Sequence, residues 1–337
     1  MTIKGRRTAG PSARILLLGK RGSLVLWLEN LYHSCVRLDH PTQVFAINGN
    51  TPLLGLWAKW RERASNESGW MLRRFERVLT RFRPELVLVT GVFGVPLDYY
   101  RLLYAQNRRP VIAGLVGDRF SITDNRERAD HCDRLYYTDT RFFRDAEAAG
   151  FTTGGRYLPL AADPELFRPA RTHVVRQEEL LFVASRTTFR ETVVRGLESP
   201  ARIIGTDWSD LAREDFHRVR NRKIGRAHLI RLYQHHVAVL NARNEANVEH
   251  GLNQRSFEPP ACGAVVLNDD LVDLPRCFEP GREILVYRDA EELNALVARL
   301  WREPEFAARV ATAGRRRVLA EHTYEHRMAT ILNDLGL

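Results

Sequence analysis

Cysteine is scarce: the 337 residues hold four, Cys35, Cys132, Cys262 and Cys277, none in CxxC spacing. A disulfide framework or zinc module is therefore disfavoured, and a reducing, cytoplasmic setting is expected. No apolar run approaches the ~20 residues of a membrane-spanning helix; Ile15–Leu18 is strand-sized. The basic N-terminus lacks the apolar stretch of a signal peptide. No GxGxxG and no GxxxxGK[ST] occurs, and His131, His235, His236, His250 and His322 form no metal-ligand grouping, so no metal site is expected. Lysine is rare too, at positions 4, 20, 59 and 223 only.

What is present is arginine, unevenly placed. The formal net charge is +10. Residues 1–28 contribute +6 with no acid, and residues 57–83 contribute +5 from eight bases and three acids. Residues 29–56 sum to −1, so the chain beyond Arg83 is neutral. A partner attracted by charge would meet the N-terminal quarter. The stretch Trp57–Arg83 interleaves Trp57, Trp60, Trp70, Met71, Phe75, Leu79 and Phe82 with arginines. Two readings stand side by side: an interfacial helix on an anionic membrane surface, or a helix packed on a sheet with a solvated basic face.

Strand-like runs alternate with helical patterns. Arg14–Gly19, Gln43–Asn48, Glu85–Thr90, Pro110–Leu115 and Asp133–Thr138 read as strands, with helices near 23–38, 56–83, 95–107 and 140–149. A proline-rich break at Tyr157–Pro169 precedes a second series: Leu180–Ala184, Ala201–Ile204, Val237–Asn241, Ala264–Asn268 and Glu283–Tyr287. Helices 290–302, 304–321 and 324–335 close the chain, the last ended by Gly336. This order predicts an α/β architecture of two doubly wound parallel sheets facing across a ligand cleft. The expected domains are 1–160 (with 1–13 flexible), 161–322, and a final helix, 323–337, crossing back to the first.

Several residues are placed for chemistry. Gly19–Ser23, with Gly22, is a short turn between strand and helix that could face an anion. Arg186 and Arg190 follow the strand at Leu180–Ala184, where guanidiniums suit a diphosphate. In Val237–Asn268 a polar loop around Gly251 leads to Asn253, Arg255 and Glu258, read as one short helix stopped by Cys262–Gly263. Amides around Gly251–Asn253 could hold phosphate oxygens. Glu258, at a helix start fixed by Pro259 and Pro260, could accept both hydroxyls of a ribose. Asp118, after the strand at Pro110–Leu115, is the candidate general base or sugar-hydroxyl ligand; Asp124 and His131 are alternatives.

The segments NQRSFEPPACGAVVLND, LPRCFEPGREILVYRDAEEL and RRRVLAEHTYEHRMATIL together resemble the CgeB-like glycosyltransferases of the GT-B fold. LPLAADPELFRP and FVASRTTFRETVVRGL are similar to that family's linker and first C-terminal strand and loop. The likeness covers residues ~130–335 and, before that, architecture alone. It implies a sugar transferred from a nucleotide-diphosphate sugar (UDP, GDP or dTDP), without a required metal or other cofactor. It also implies ribose on Glu258, diphosphate near Asn253, Arg255 and Arg190, and the base near Arg222–Gly225. The acceptor, whether glycan, protein or lipid-linked, would sit on the N-terminal domain, with a peripheral location at the inner membrane face as the corollary of an anionic acceptor. Retaining relatives carry a second Glu eight residues before the ribose-binding one. Here that position is His250, next to Glu249, and the anomeric outcome stays open. The competing readings are a GT-B epimerase, a nucleic-acid or polyanion binder, and an inactive nucleotide-binding GT-B module. The first lacks an acid/base cluster and the second lacks any helix-turn-helix, RRM or OB pattern.

Overall fold

The computed structural model describes residues 12–21, 27–49, 69–151, 154–172 and 174–337. Gly22 and the 57–68 part of the basic stretch lie outside the described residues.

Short runs such as ILLLG and LVLVT are apolar at every position, which suits strands covered on both faces. They form a parallel sheet from β1 (Ile15–Gly19), β2 (Thr42–Ala46), β3 (Leu86–Thr90), β4 (Val111–Val116), β5 (Arg134–Tyr137) and β6 (Gly155–Tyr157), in the order β2-β1-β3-β4-β5-β6. A second sheet holds β7 (Gln177–Val183), β8 (Ala201–Gly205), β9 (Arg218–Asn221), β10 (His236–Asn241), β11 (Val265–Asp269) and β12 (Leu285–Tyr287), ordered β12-β11-β10-β7-β8-β9. Every pairing is parallel. The expected architecture and all ten expected strands are present. The two further strands, β6 and β9, are edge strands reading GRY and RVRN, too short and polar for periodicity to reveal.

The helices of the first half are α1 (Trp27–Arg37), α2 (Trp70–Phe82), α3 (Leu97–Tyr104), α4 (Ile122–Asp130) and α5 (Thr140–Ala148). The second half has α6 (Thr188–Arg195), α7 (Arg226–His235), α8 (Glu258–Ala261), α9 (Leu274–Cys277), α10 (Ala290–Arg302), α11 (Pro304–Glu321) and α12 (Tyr324–Leu335). In α2, Met71, Phe75 and Leu79 recur every four residues and are buried in the first core beside Phe45 and Tyr99. Each such burial is worth roughly 1.5–3 kcal/mol. The apolar face an interfacial helix would give to lipid is thus used inside the protein, and α2 offers solvent mainly charge, from Arg73, Arg77 and Arg81. None of the helices among the described residues is long and apolar enough to cross a membrane.

Two contacts set the halves against each other. Tyr324, Met328, Ile331 and Leu332 of α12 share a core with Ile15, Leu17, Leu28 and Leu31, and Tyr136 donates to Asp334 at 2.9 Å. The second contact is polar. Asp139 caps α5 through Oδ1, accepting from Arg141 N at 2.8 Å. Its Oδ2 accepts from the backbone N–H groups of Glu249, His250 and Gly251, each at 2.9 Å. The approach is so close that a Cβ on Gly251 would stand 2.5 Å from the Thr138 carbonyl oxygen. Beside it, Thr140 donates through N (2.9 Å) and Oγ1 (2.7 Å) to the buried Asp273. Glu249 completes the junction by pairing with Arg119 and Arg141.

A charged acceptor serving three amides is stronger than a neutral one. Replacing it, as in Asp139→Ala, leaves those amides stranded, at about 1–3 kcal/mol for a buried unpaired group. The melting temperature should fall by several degrees. An unchanged value in thermal unfolding would show that the junction does not depend on this carboxylate.

Candidate active site

In the second sheet β7 lies between β8 and β10, so the winding reverses between β7 and β10. A crevice opens beyond the strand ends at such a point, and the segments after β7 and β10 enter it.

The β7 segment turns into α6, capped by Thr187, whose side chain accepts from Arg190 N. Arg190 folds back and is buried, its Nε donating to Ala242 O (3.1 Å) and its Nη1 to Ser185 O (3.0 Å). Burial, reinforced by the neighbouring Arg255 guanidinium, pushes its pKa down to about 9. Arg255 is disfavoured as a cation in the same way, by burial first, with Tyr233, Glu258 and Asp269 opposing. Two close, desolvated guanidiniums repel each other, and an anion between them relieves both costs.

The β10 segment is held by amides and hydroxyls. Asn241, at the end of β10, donates to Ser256 Oγ (3.1 Å) and Asn268 Oδ1 (2.7 Å). Its Oδ1 accepts from Asn253 Nδ2 (3.0 Å) and Arg255 Nε (3.1 Å). Ser256 donates to Asn268 at 2.8 Å, closing a buried network that fixes Arg255. Asn253 caps the turn Gln254–Ser256, accepting from Arg255 N at 2.9 Å. Asn253 and Arg255 therefore belong to a separate 3₁₀ turn and not to the helix of Glu258, because Asn253 starts one turn and the proline pair starts the next.

Glu258 opens α8 with Pro259 and Pro260 in the first turn, where their missing N–H groups cost nothing. It is 4% exposed, and its carboxylate makes no hydrogen bond among the described residues. Burial pushes its pKa up to about 8, with Arg255 opposing only in part. A buried acceptor without donors is costly unless a ligand supplies them.

The other expected residues are placed as follows. Arg186 is not part of this cluster: it pairs with Glu191 (2.7 Å) and Asp210 (3.2 Å), because acids on α6 and the neighbouring loop lie nearer. The amide of Gly251 faces Asp139 rather than open space, and the close approach to Thr138 is what demands glycine there. His250 contacts Thr140 Oγ1 at 3.3 Å through Nδ1. The Arg222–Gly225 loop ends β9 and anchors Ile224 in the core beside α7. Asp118 follows β4 and lines a cavity of about 560 Å³. Burial holds its carboxyl above the usual range, opposed by a hydrogen bond with Asn247 of the loop after β10. Asp124 is exposed in the first turn of α4, and His131 ends that helix against Tyr104. His322 lies between Phe257 and Phe278, pushed down to about 4 by burial and then by Arg327. No group of three or more His, Cys, Asp or Glu suited to a metal occurs among the described residues.

Sequence reading missed the supports. Asn241, Ser256 and Asn268 form the hub; Arg243 pairs with the buried Asp269 at 2.7 Å. Glu245 accepts from Phe189 N and Thr187 Oγ1. Burial works against its charge, but those bonds prevail and hold its pKa low. A usable signal existed in the two strands that both end in asparagine, VAVLN and VVLN, since polar strand ends face a ligand crevice.

Residues 176–333 match the family described as glycosyl transferase-like. No curated protein matches the sequence. Among solved structures the chain is similar to sucrose-phosphate synthase from Thermosynechococcus elongatus, at 13% identity and TM-score 0.65, over 96% of this chain and 99% of that one. It is similar to HepE of Anabaena in complex with UDP and glucose, at 9% identity and TM-score 0.65, over 95% and 100%. The apo lipopolysaccharide outer core galactosyltransferase WaaB matches at 14% identity and TM-score 0.58, over 95% and 99%. At these identities the likeness speaks for the fold. The chain therefore has the GT-B fold, and its residues 176–333 match a glycosyl transferase-like family.

Proposed function

We propose that the crevice at β7 and β10 binds a nucleoside-diphosphate sugar, with the ribose hydroxyls on Glu258 and the diphosphate between Arg190 and Arg255. The observation that carries this is a buried carboxylate without donors beside two mutually repelling guanidiniums. Vicinal hydroxyls donate two hydrogen bonds to a carboxylate, and a diphosphate neutralises two cations. A UDP sugar is the donor favoured by the neighbour solved with UDP and glucose. The motif NQRSFEPPACGAVVLND supports placement among CgeB-like enzymes within the broader family.

The acceptor is assigned to the N-terminal half, opposite Asp118. In transfer, an acceptor hydroxyl oxygen bonds to the anomeric carbon while the bond from that carbon to the diphosphate oxygen breaks. The bonding pair leaves on the diphosphate, where Arg190 and Arg255 stabilise the added charge. The hydroxyl proton passes to Asp118 if the anomeric centre inverts, or to the departing phosphate if it is retained. A carboxyl raised by burial is a better proton acceptor than one in water.

UDP should stabilise the protein in thermal-shift measurements, and Glu258→Gln should weaken UDP at least tenfold, since hydrogen bonds to a charged group contribute about 1.5–3 kcal/mol each. Equal affinity for UDP in the variant would remove the ribose assignment. Arg255→Gln should weaken UDP but leave uridine unchanged; equal losses for both would disprove a diphosphate contact. The sign of the stability effect is also fixed. The Glu258 carboxyl is raised from an ordinary 4.5 to about 8, so its ionisation penalty grows from pH 4.5 to pH 8. Without nucleotide, Glu258→Gln should therefore melt a few degrees above wild type at pH 8 and equal to it near pH 4. A lower melting temperature at pH 8 would contradict the buried, undonated carboxylate.

Contact with an anionic membrane surface rests on charge alone in the described part of 57–83, where Arg77 and Arg81 stand exposed on α2. Binding to anionic vesicles should exceed binding to neutral ones and vanish by about 0.5 M salt. Equal binding to both would remove this partner.

A further inference from the structure

The first sheet has its own point of reversed winding, between β1 and β3, and a cavity of about 560 Å³ lies beyond it. Its size is that of a small-molecule site. Its walls are Trp27 from α1, Phe93 after β3, and Phe120 after β4, with Lys20, Asp118 and Asn125 as polar groups. The Phe93 and Phe120 rings stack with centroids 4.3 Å apart. Glycines keep the space clear. A Cβ on Gly117 would stand 1.9 Å from the Trp27 ring, and Gly91 takes a φ of 64° that lets β3 turn sharply at the cavity edge.

The cations of this cavity differ. Arg119 is paired with Glu249. Lys20 makes no ion pair and no hydrogen bond among the described residues, whereas Arg21, Arg109, Arg186 and Arg243 each have an acid partner. Its Nζ stands 3.7 Å from where a Cβ of Gly94 would be, so the ammonium lies along the glycine-lined wall of the cavity. Asp118 is across from it on the β4 loop and touches Asn247 of the donor-side loop. Lys20, the aromatic walls and the Asp118 carboxyl together suit a ligand with an anionic group, an apolar ring face and a hydroxyl.

We propose that this cavity is the acceptor subsite, and that the acceptor is a small hydroxylated ring compound bearing an anionic group, phosphate or carboxylate, held by Lys20 with its reacting hydroxyl at Asp118. Calling the ligand an acceptor rests on the donor-site reading; its binding does not. The aromatic rings cover the C–H faces of the ring, and Asn125 adds a hydrogen-bonding group.

The test is isothermal titration of the full chain with glucose 6-phosphate, glucuronate, glucose and inorganic phosphate, each with and without UDP. Glucose 6-phosphate or glucuronate should bind at least tenfold more tightly than glucose, and the tighter of the two identifies the anion. Lys20→Gln should remove that preference and Lys20→Arg should restore most of it, with UDP affinity unchanged in both. Binding of UDP together with indifference to the anionic sugars overturns the acceptor subsite and leaves the donor reading standing. Binding of the anionic sugars without any binding of UDP supports the cavity and overturns the donor reading. Inorganic phosphate binding as tightly as glucose 6-phosphate, or Lys20→Gln behaving as wild type, overturns the proposal. Gly117→Ala, whose Cβ would force the Trp27 ring out of place, should weaken the sugars without affecting UDP; unchanged sugar binding counts against the cavity.

Discussion

The carboxylate of Asp139 holds three consecutive amides of the loop that leads to Arg255 and Glu258. Because the same group caps α5, the position of that loop is tied to the first sheet and not only to its own. Everything in the cleft depends on this. The loop from Arg243 to Glu258 brings Arg255 toward Arg190, brings Asn247 to Asp118, and brings Glu249 to Arg119. The loop after β10 and the cavity of the first sheet meet at this junction, where Asp139 acts together with the α12 core to set the second half against the first.

Glu258, Arg190 and Arg255, the proposed donor site, form a cluster that the protein alone does not fully satisfy. Its supports, by contrast, are fully bonded: Asn241, Ser256 and Asn268 exchange hydrogen bonds in a dry interior. A rigid, satisfied support beneath an unsatisfied pair of arginines and a carboxylate is the arrangement expected of a preorganised anion site. The +10 charge does not create it. The chain beyond Arg83 is charge-balanced, and Lys20, without a partner among the described residues, lines the cavity of the first half.

Local pattern revealed much of this. Apolar strands alternating with helices gave the two sheets, and the placing of Arg190, Arg255 and Glu258 beside strand ends and a proline-fixed helix start was readable from spacing. What stayed hidden depends on residues far apart in the chain. Asp139 and Gly251 are separated by 112 positions, so nothing local shows that the loop amides already have an acceptor. Arg186 looked like Arg190 in sequence, and only the fold shows that Glu191 and Asp210 neutralise it. In α2 the aromatic and basic residues were visible, but which face meets the core was not. The cavity joins Lys20, Trp27, Phe93 and Asp118 from four separate segments, each unremarkable alone.

In the proposed site Glu258 waits, protonated and buried, for the ribose of a nucleotide. Hydroxyl donors favour the ionised carboxylate, so binding must drive its proton off. Titration of UDP at pH 7.5 in buffers of different ionisation enthalpy measures this directly. At that pH the terminal phosphate of the nucleotide, with a pKa of roughly 6, has already lost its proton. The wild type should release about three-quarters of a proton per UDP bound, since its carboxyl is pushed up to about 8, and Glu258→Gln should release none. Binding without proton release, or the same release in the variant, would contradict it.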